Sequence, residues 1–356
     1  MTGSARVRAL AYYLPQFHPI PENDRWWGDG FTEWTSVRAA EPLFRGHRQP
    51  RVPGDLGYYD LRDDRVRDRQ AELAQEAGIE GFAYWHYWFS GRRLLEAPSE
   101  RMLATGRPGL GFCFAWANIS WSRAWTGADR QVLVAQEYPG ADDHRRHYRA
   151  LQRAFDDDRY VRVDGRPLFL LFRPGEIPDL ATMVEVWREE ADRAGEPPPY
   201  LVGEADFTNG PPAWLPAAST LLDGIVEYSW IRAIGRVNRV RRKLPGAGRP
   251  VRVPYDRMIE RLSVRRDGLS LPQYPLVLTG WDNTPRYQRA GVVSEGYAPE
   301  RLTAAVAAAR AWATSLEHPL VILKSWNEWS EGNMLEPDET FGHRWLAACR
   351  EGLAAA

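Results

Sequence analysis

Residues 67–89 read RDRQAELAQEAGIEGFAYWHYWF. The first half has a helical pattern that stops at Gly78, where a C′ glycine belongs. The second half, GFAYWHYWF (81–89), is a continuous apolar run of buried-strand length. The same kind of run recurs along the chain as VRALAYYL (7–14), GLGFCFAWA (109–117), PLFLLFRP (167–174), PYLVGEA (199–205), GIVEYSW (224–230), PLVLTGW (275–281) and PLVILKSW (319–326). Amphipathic stretches such as DLATMVEVWREEADRAG, closed by Gly195, lie between most of them. Continuous apolar strands alternating with helices predict a parallel sheet covered on both faces. Eight such units predict an α/β fold, a (β/α)8 barrel of TIM type, formed as a single domain over 1–356. No GxGxxG follows the first strand, which argues against a dinucleotide-binding sheet. The long segment after that strand, roughly 15–60, is rich in Trp and Phe and is expected to be ordered. The basic stretch 231–254 reads as a solvated or mobile surface loop.

Composition narrows the partners. The chain has 356 residues, 46 Lys plus Arg against 47 Asp plus Glu, and 44% apolar residues. That near balance supplies no global basic field, so nucleic acid is not an expected partner. Sixteen tryptophans offer flat apolar faces with a polar edge, which suit the C–H faces of sugars or a Trp-rich core. Cys113 and Cys349 form no CxxC pair and no disulfide framework. The first apolar run ends at Pro15, short of a signal-peptide core, and no run reaches membrane-spanning length. The expectation is a cytoplasmic protein with no membrane insertion. The histidines are dispersed, and HExxH and GxSxG are absent, so no metal and no cofactor is expected. The one close pair, His144 and His147, reads as a solvated helix face.

In a (β/α)8 enzyme the active site lies at the C-terminal ends of the strands. Just past the runs lie Tyr13; Tyr84 and His86; Trp116 and Asn118; Arg173; Glu204; Tyr228; Trp281 and Asn283; and Asn327, Glu328 and Glu331. Trp26, Trp27, Glu33 and Trp34 come from the loop after the first strand, with core packing the competing reading for Trp34. A rim of aromatics, carboxylates and amides points to a glycan cleft and a carbohydrate partner. Glu328 and Glu331, in SWNEWSEG (325–332), are the candidate catalytic pair. Residues three apart in a helical turn have Cβ atoms about 5–6 Å apart. Retaining glycosidases hold two carboxyl groups about 5–5.5 Å apart. Two side chains from one turn approach from a similar side, whereas a nucleophile and an acid normally flank the bond. The spacing therefore fits a substrate that supplies its own nucleophile, with one Glu as base and the other as acid. Mutual repulsion would raise one of the two pKa values. The competing reading is local: Ser325 and Glu328 match a capping box, and Glu331 is then a solvated loop residue.

Several longer motifs carry a resemblance. They are YYLPQFHPIPENDRWWGDGFTEW (12–34), PLFRGHRQPRVPGDLGYYDLRD (42–63), GFAYWHYWFSGRRLLE (81–96), FAWAN (114–118), GWDNTPR (280–286) and WNEWSEGNMLEPDETFG (326–342). Across essentially its whole length the chain resembles the WbsX-like proteins, relatives of glycoside hydrolase family 99, the endo-α-mannosidases and endo-α-mannanases. The resemblance implies a (β/α)8 barrel and a retaining glycoside hydrolase, endo-acting on an α-manno- or α-rhamno-configured glycan. It implies no covalent enzyme intermediate, no metal and no cofactor. Glu328 would deprotonate the sugar 2-hydroxyl, whose attack on C1 gives a 1,2-anhydro sugar. Glu331 would protonate the leaving oxygen and then activate water. The alternative is a glycosyltransferase or transglycosylase of surface-polysaccharide assembly, lipopolysaccharide-type. One departure stands out: where relatives commonly read WANENW this chain has WANISW, with Ile119 and Ser120 replacing a carboxylate and an amide.

Overall fold

The computed structural model describes residues 6–122, 131–229, 249–262 and 264–355. The eight apolar runs form eight strands: β1 (Arg8–Tyr13), β2 (Gly81–Phe89), β3 (Gly111–Trp116), β4 (Arg166–Leu171), β5 (Tyr200–Ala205), β6 (Gly224–Glu227), β7 (Gln273–Tyr274 and Leu276–Leu278) and β8 (Leu320–Lys324). Each pairs in parallel with the next, and β8 pairs with β1. Strand β7 is split by Pro275, which has no N–H to donate. Its first half pairs with β6 and its second with β8, so the ring closes through it. The Pro275 carbonyl still accepts from Ile322 N at 3.0 Å.

Helices fill the outer layer. They include α1 (Pro21–Trp27) and α2 (Glu33–Arg38) in the long first loop, then α3 (Asp64–Glu76), α4 (Ala97–Thr105), α5 (Ala141–Phe155) and α6 (Leu180–Ala194). Asp63 caps α3 through Arg65 N, and Gly78 and Gly195 follow α3 and α6 with φ +79° and +71°, the C′ role read from the sequence. No helix among the described residues is long and apolar enough to cross a membrane. Cys113 and Cys349 are free and buried. Most of the basic stretch 231–254 lies outside the described residues; its end, Val251–Pro254, is a short strand paired with Val292–Glu295.

The strand period of two decides what the barrel interior contains. Tyr12 of β1 donates to Glu204 Oε1 of β5 at 2.6 Å. These strands lie on opposite sides of the ring, so both side chains point inward. The register carries that face to Ala83 and Trp85 of β2, Cys113 and Ala115 of β3, Val226 of β6, and Ile322 and Lys324 of β8. Small residues on β3 leave room for Trp85, which stacks on Tyr12 at 4.6 Å.

The His144–His147 pair corrects the expectation of a solvated face. Both side chains are buried. They lie on the same stripe of α5 as Tyr148 and Leu151, and that stripe faces the barrel. His144 pairs with Asp179 at 3.0 Å, and His147 stacks on Trp88 at 4.7 Å. The intervening arginines made a buried stripe look polar.

Strands β2 and β3 approach most closely at two glycines. A Cβ on Gly81 would lie 2.5 Å from the Gly111 carbonyl oxygen, a backbone contact that cannot relax by rotamer. G81A is expected to destabilise the fold by about 1–3 kcal/mol, the usual range for overpacking. Thermal unfolding should show the loss as a midpoint several degrees lower, with the far-UV spectrum unchanged.

Candidate active site

Strand β8 ends at Lys324, and the chain then forms a tight hairpin. Asn327–Glu328 pairs antiparallel with Asn333–Met334, and a single 3₁₀ turn, Trp329–Glu331, joins them. No helix starts here, and the Glu328 side chain caps nothing. The turn is held from beneath. Glu336, fully buried, accepts from Trp329 Nε1 at 2.6 Å, Tyr59 Oη at 2.9 Å and Gln70 Nε2 at 2.6 Å. Asn327 clamps the end of β1, accepting from Leu14 N at 2.7 Å and donating to its carbonyl at 3.0 Å. Gly332 adopts φ +62°, and a Cβ there would meet Asp282 at 2.8 Å. This frame puts Glu328 and Glu331 on the same face.

One guanidinium reaches both. Arg286 Nη1 donates to Glu331 Oε1 at 2.8 Å, and Nη2 lies 2.9 Å from Glu33 Oε1 and 3.6 Å from Glu328 Oε2. Arg286, Glu33 and Glu328 have side chains only 4–6% exposed, whereas Glu331 is 17% exposed. Glu33 also accepts from Ser330 Oγ within the turn. Glu328 Oε1 accepts from Trp85 Nε1 at 3.1 Å. Burial, then the neighbouring charge of Glu331, pushes Glu328 up to about 7, against the opposing pull of Lys324 and Arg286. Lys324 rises from the barrel floor among the rings of Tyr12, Trp85 and Tyr228, at 5.6, 5.3 and 5.5 Å. Burial pulls its pKa down, but Tyr228, Glu328, Glu331 and Glu204 more than offset this, and the ammonium is held above its usual range. Beside it, Glu204 is pushed up to about 7 by burial. Glu204, Tyr228, Phe172, Arg173 and Trp214 line a cavity of about 250 Å³ that opens beyond β4, β5 and β6. The mouth of the barrel is thus an aromatic hollow with one fixed cation, one shared guanidinium and carboxylates poised near neutrality.

A family model described as Glycosyltransferase WbsX matches residues 9–349. The chain belongs to the WbsX family. It is 38% identical over 351 residues to the WxcX protein of two strains of Xanthomonas campestris pv. campestris, a match covering 98% of this chain and 50% of theirs. The chain therefore spans about half the length of these curated relatives. Among solved structures, a glycoside hydrolase-like protein superposes with TM-score 0.63 at 16% identity, covering 99% of this chain and 95% of that one. The glycoside hydrolase family 99 endo-α-mannosidase of Bacteroides thetaiotaomicron gives TM-score 0.55 at 15% identity, covering 98% and 99%. At these identities the likeness shows a shared fold.

In this WbsX-family barrel the expected site residues fall into separate groups. Glu33, Glu204, Tyr228 and the Glu328–Glu331 pair gather at the mouth, with Arg173 on the wall of the adjoining cavity. Tyr13, Tyr84, His86 and Trp116 have the opposite strand parity and face the helices. Tyr13 donates to Gln70 of α3 at 2.8 Å, Tyr84 packs on Tyr13, His86 Nε2 lies 2.9 Å from His147 Nε2, and Trp116 packs on Tyr138 and His147. Burial pushes His86 down to about 3, so it stays neutral. Asn118 and Asn283 tie backbone, at Arg173 and Val292 respectively, as Asn327 does. Trp34 is buried under the turn against Trp329 and donates to the Tyr59 carbonyl at 2.8 Å, the core placement weighed above. Trp281 is buried too, its backbone N–H donating to Ser294 Oγ at 3.0 Å. Trp26 meets Trp121, which reaches Tyr87 of β2, and Trp27 stacks on Phe31. At the departure WANISW, Ser120 Oγ accepts from Gln136 N at 2.9 Å.

Sequence reasoning missed Tyr12, Trp85, Lys324 and Arg286. Parity from Glu204 would not have supplied the first two without knowing which strands face each other. Lys324, a lone cation ending the run LVILK, was a usable signal; Arg286 had only its place at the end of the motif GWDNTPR.

Glu204, Glu328 and Glu336 all sit near 7 through burial, above the ordinary carboxylate range. Between about pH 4.5 and 7 each of these carboxyls holds a proton in the folded chain that the unfolded chain has lost, so the stability it contributes falls as pH rises, while buried His18, His86 and His147, pushed down, act in the opposite sense up to about pH 6.5. Thermal unfolding of the wild type and E336Q across pH 5 to 8 isolates the share of one carboxyl. The wild-type midpoint should exceed that of E336Q at pH 5, and this advantage should shrink as pH rises through 7; a constant difference would refute the assignment.

Proposed function

We propose that the chain is a retaining glycoside hydrolase that cleaves an α-manno- or α-rhamno-configured glycan internally, with the substrate's 2-hydroxyl as nucleophile. The observation that carries this reading is the pair Glu328 and Glu331 on one rigid turn, both within reach of Arg286. Carboxylates from a single turn cannot flank a glycosidic bond, so neither is placed for ordinary enzyme nucleophilic attack with the other as acid. Glu328, buried against Trp85 with its pKa near 7, suits a general base working near neutral pH. It takes the proton of the 2-hydroxyl as O2 bonds to C1. Glu331, the more exposed of the two, gives a proton to the leaving oxygen as the C1–O bond breaks. Water then adds to C1, giving its proton to Glu331, while the C1–O2 bond opens and O2 recovers its proton from Glu328. Two inversions at C1 give net retention. For Glu331 to donate, the Arg286 contact must pass to another carboxylate, and Glu33 and Glu328 are both near the same guanidinium. Tyr228, Phe172 and Trp214 supply sugar-sized apolar faces in the adjoining cavity.

The family's description as a glycosyltransferase favours a second reading. The same pair would then serve transglycosylation, with a glycan hydroxyl in the place of water. Nucleotide-sugar donors incubated with acceptor glycan distinguish a third chemistry: release of free nucleotide with acceptor extension would displace both dyad mechanisms.

Leaving-group chemistry separates the two roles. A glycosyl fluoride departs without an acid, whereas a glycan does not. E331Q should lose about 10²–10⁴-fold on a manno- or rhamno-configured polysaccharide, yet release about one equivalent of fluoride from the matching α-fluoride near the wild-type rate before slowing at the opening step, where Glu331 is the base. E328Q should lose both. Proton NMR should show the α-anomer as the first product. Wild-type turnover in E331Q on the polysaccharide, or a β-product first, would overturn the reading.

A further inference from the structure

Next to the Glu331 turn lies a second groove. It is built by the loop after β1 and by the segments following β7 and β8. Two adjoining hollows of about 150 and 260 Å³ share Arg48, Arg51 and Tyr297 as common walls. Arg45 lines the first. Arg45, Arg48 and Arg51 lie within 4 Å of no carboxylate among the described residues, although most of the described arginines are so paired. Arg51 Nη1 donates to the Gly332 carbonyl at 3.0 Å, and Arg48 lies over the Phe341 ring at 4.9 Å.

The acids that face this groove are already engaged. Asp282 accepts from His47 Nε2 at 3.0 Å, Gln49 Nε2 at 2.8 Å and Thr284 Oγ1 at 2.6 Å. Glu295 holds Arg252 at 2.6 Å. Asp338 accepts from the N–H groups of Thr340 and Phe341 and from Trp345 Nε1. Glu295 is neutralised by Arg252, so three guanidinium groups face two remaining carboxylates, Asp282 and Asp338, and the groove keeps a net positive charge. A second observation points the same way: the Tyr297 hydroxyl, on a residue 8% exposed, has no hydrogen-bond partner among the described residues. Tyr297 stacks on Trp345 at 4.1 Å, and Phe44 stacks on His47 at 4.4 Å, so the walls are flat and aromatic.

We infer that this groove binds a phosphoryl group carried by the glycan, on the leaving-group side of the bond. Guanidinium forks match the oxygens of phosphate, and several around one concavity suit a group with three free oxygens. The loops after the seventh and eighth strands are also where barrels of this kind commonly hold phosphate. The link to the dyad is direct: the Glu331 carbonyl accepts from Asp282 N at 2.6 Å, and the next residue, Gly332, is held by Arg51. The leaving-group placement rests on the acid role proposed for Glu331; the phosphoryl site itself does not.

Titration of the full chain by calorimetry, with inorganic pyrophosphate, a hexose 1-phosphate, GDP and glucuronate as probes, tests it. Pyrophosphate and the hexose phosphate should bind at one site per chain, and R45A/R48A should weaken both at least tenfold. E331Q should bind them as the wild type does, so that failure of the hydrolase reading and failure of this one are separable. No saturable phosphate binding, binding indifferent to R45A/R48A, or equal affinity for glucuronate would overturn the phosphoryl site. GDP bound at least tenfold more tightly than the hexose phosphate, and lost in R45A/R48A, would overturn the assignment to a glycan-borne group in favour of a nucleotide.

Discussion

Three carboxylates converge where the barrel opens, and the Arg286 guanidinium is what allows it. Glu33 arrives from the first loop and Glu328 and Glu331 from the turn after β8; each lies within 4 Å of that one group. Removing the guanidinium would cost about 3–5 kcal/mol, because it leaves buried carboxylates without their counter-charge. The long first loop is therefore ordered for an electrostatic reason as well as a packing one. It brings Glu33 to the cluster, and its aromatic residues Phe17, Trp34 and Tyr59 pack beneath the same turn.

A shared cation also sets the chemistry that the cluster can support. Arg286 and Lys324 pull Glu328 down while burial and Glu331 push it up, and the balance lies near neutrality. A carboxylate fully paired would be a poor base, and one merely buried would stay protonated. The rigid turn removes reorganisation from the site, since Glu336 holds the Trp329 indole and the Asn327 side chain ties the turn to Leu14. Two sets of walls flank the turn: the aromatic cavity past β4 to β6, and the arginine groove past β7 and β8.

Much of this was legible early, and the reason lies in which signals are local. Eight apolar runs of strand length with helical stretches between them specify a parallel barrel, because each run must be buried on both faces. Capping glycines at 78 and 195 and the spacing of Glu328 and Glu331 are likewise local. The faces of the strands were not. Tyr13, Tyr84, His86 and Trp116 stand at strand ends as prominently as Tyr12 and Trp85, yet one parity looks into the barrel and the other into the helices. Period two divides a strand into two faces without saying which is inside when both are apolar.

The sequence by itself determined the strand order of a closed barrel, the pair of glutamates after its last strand, and the family. Those follow from patterns between near neighbours in the chain. Only the tertiary structure decided which aromatics meet the glutamates, that Lys324 and Arg286 hold their charge, and that the turn is a hairpin without a helix. Arg286 lies 253 residues from Glu33 and 45 from Glu331, and Tyr12 lies 192 from Glu204. Contacts at such separations arise from ring closure, which no local pattern records.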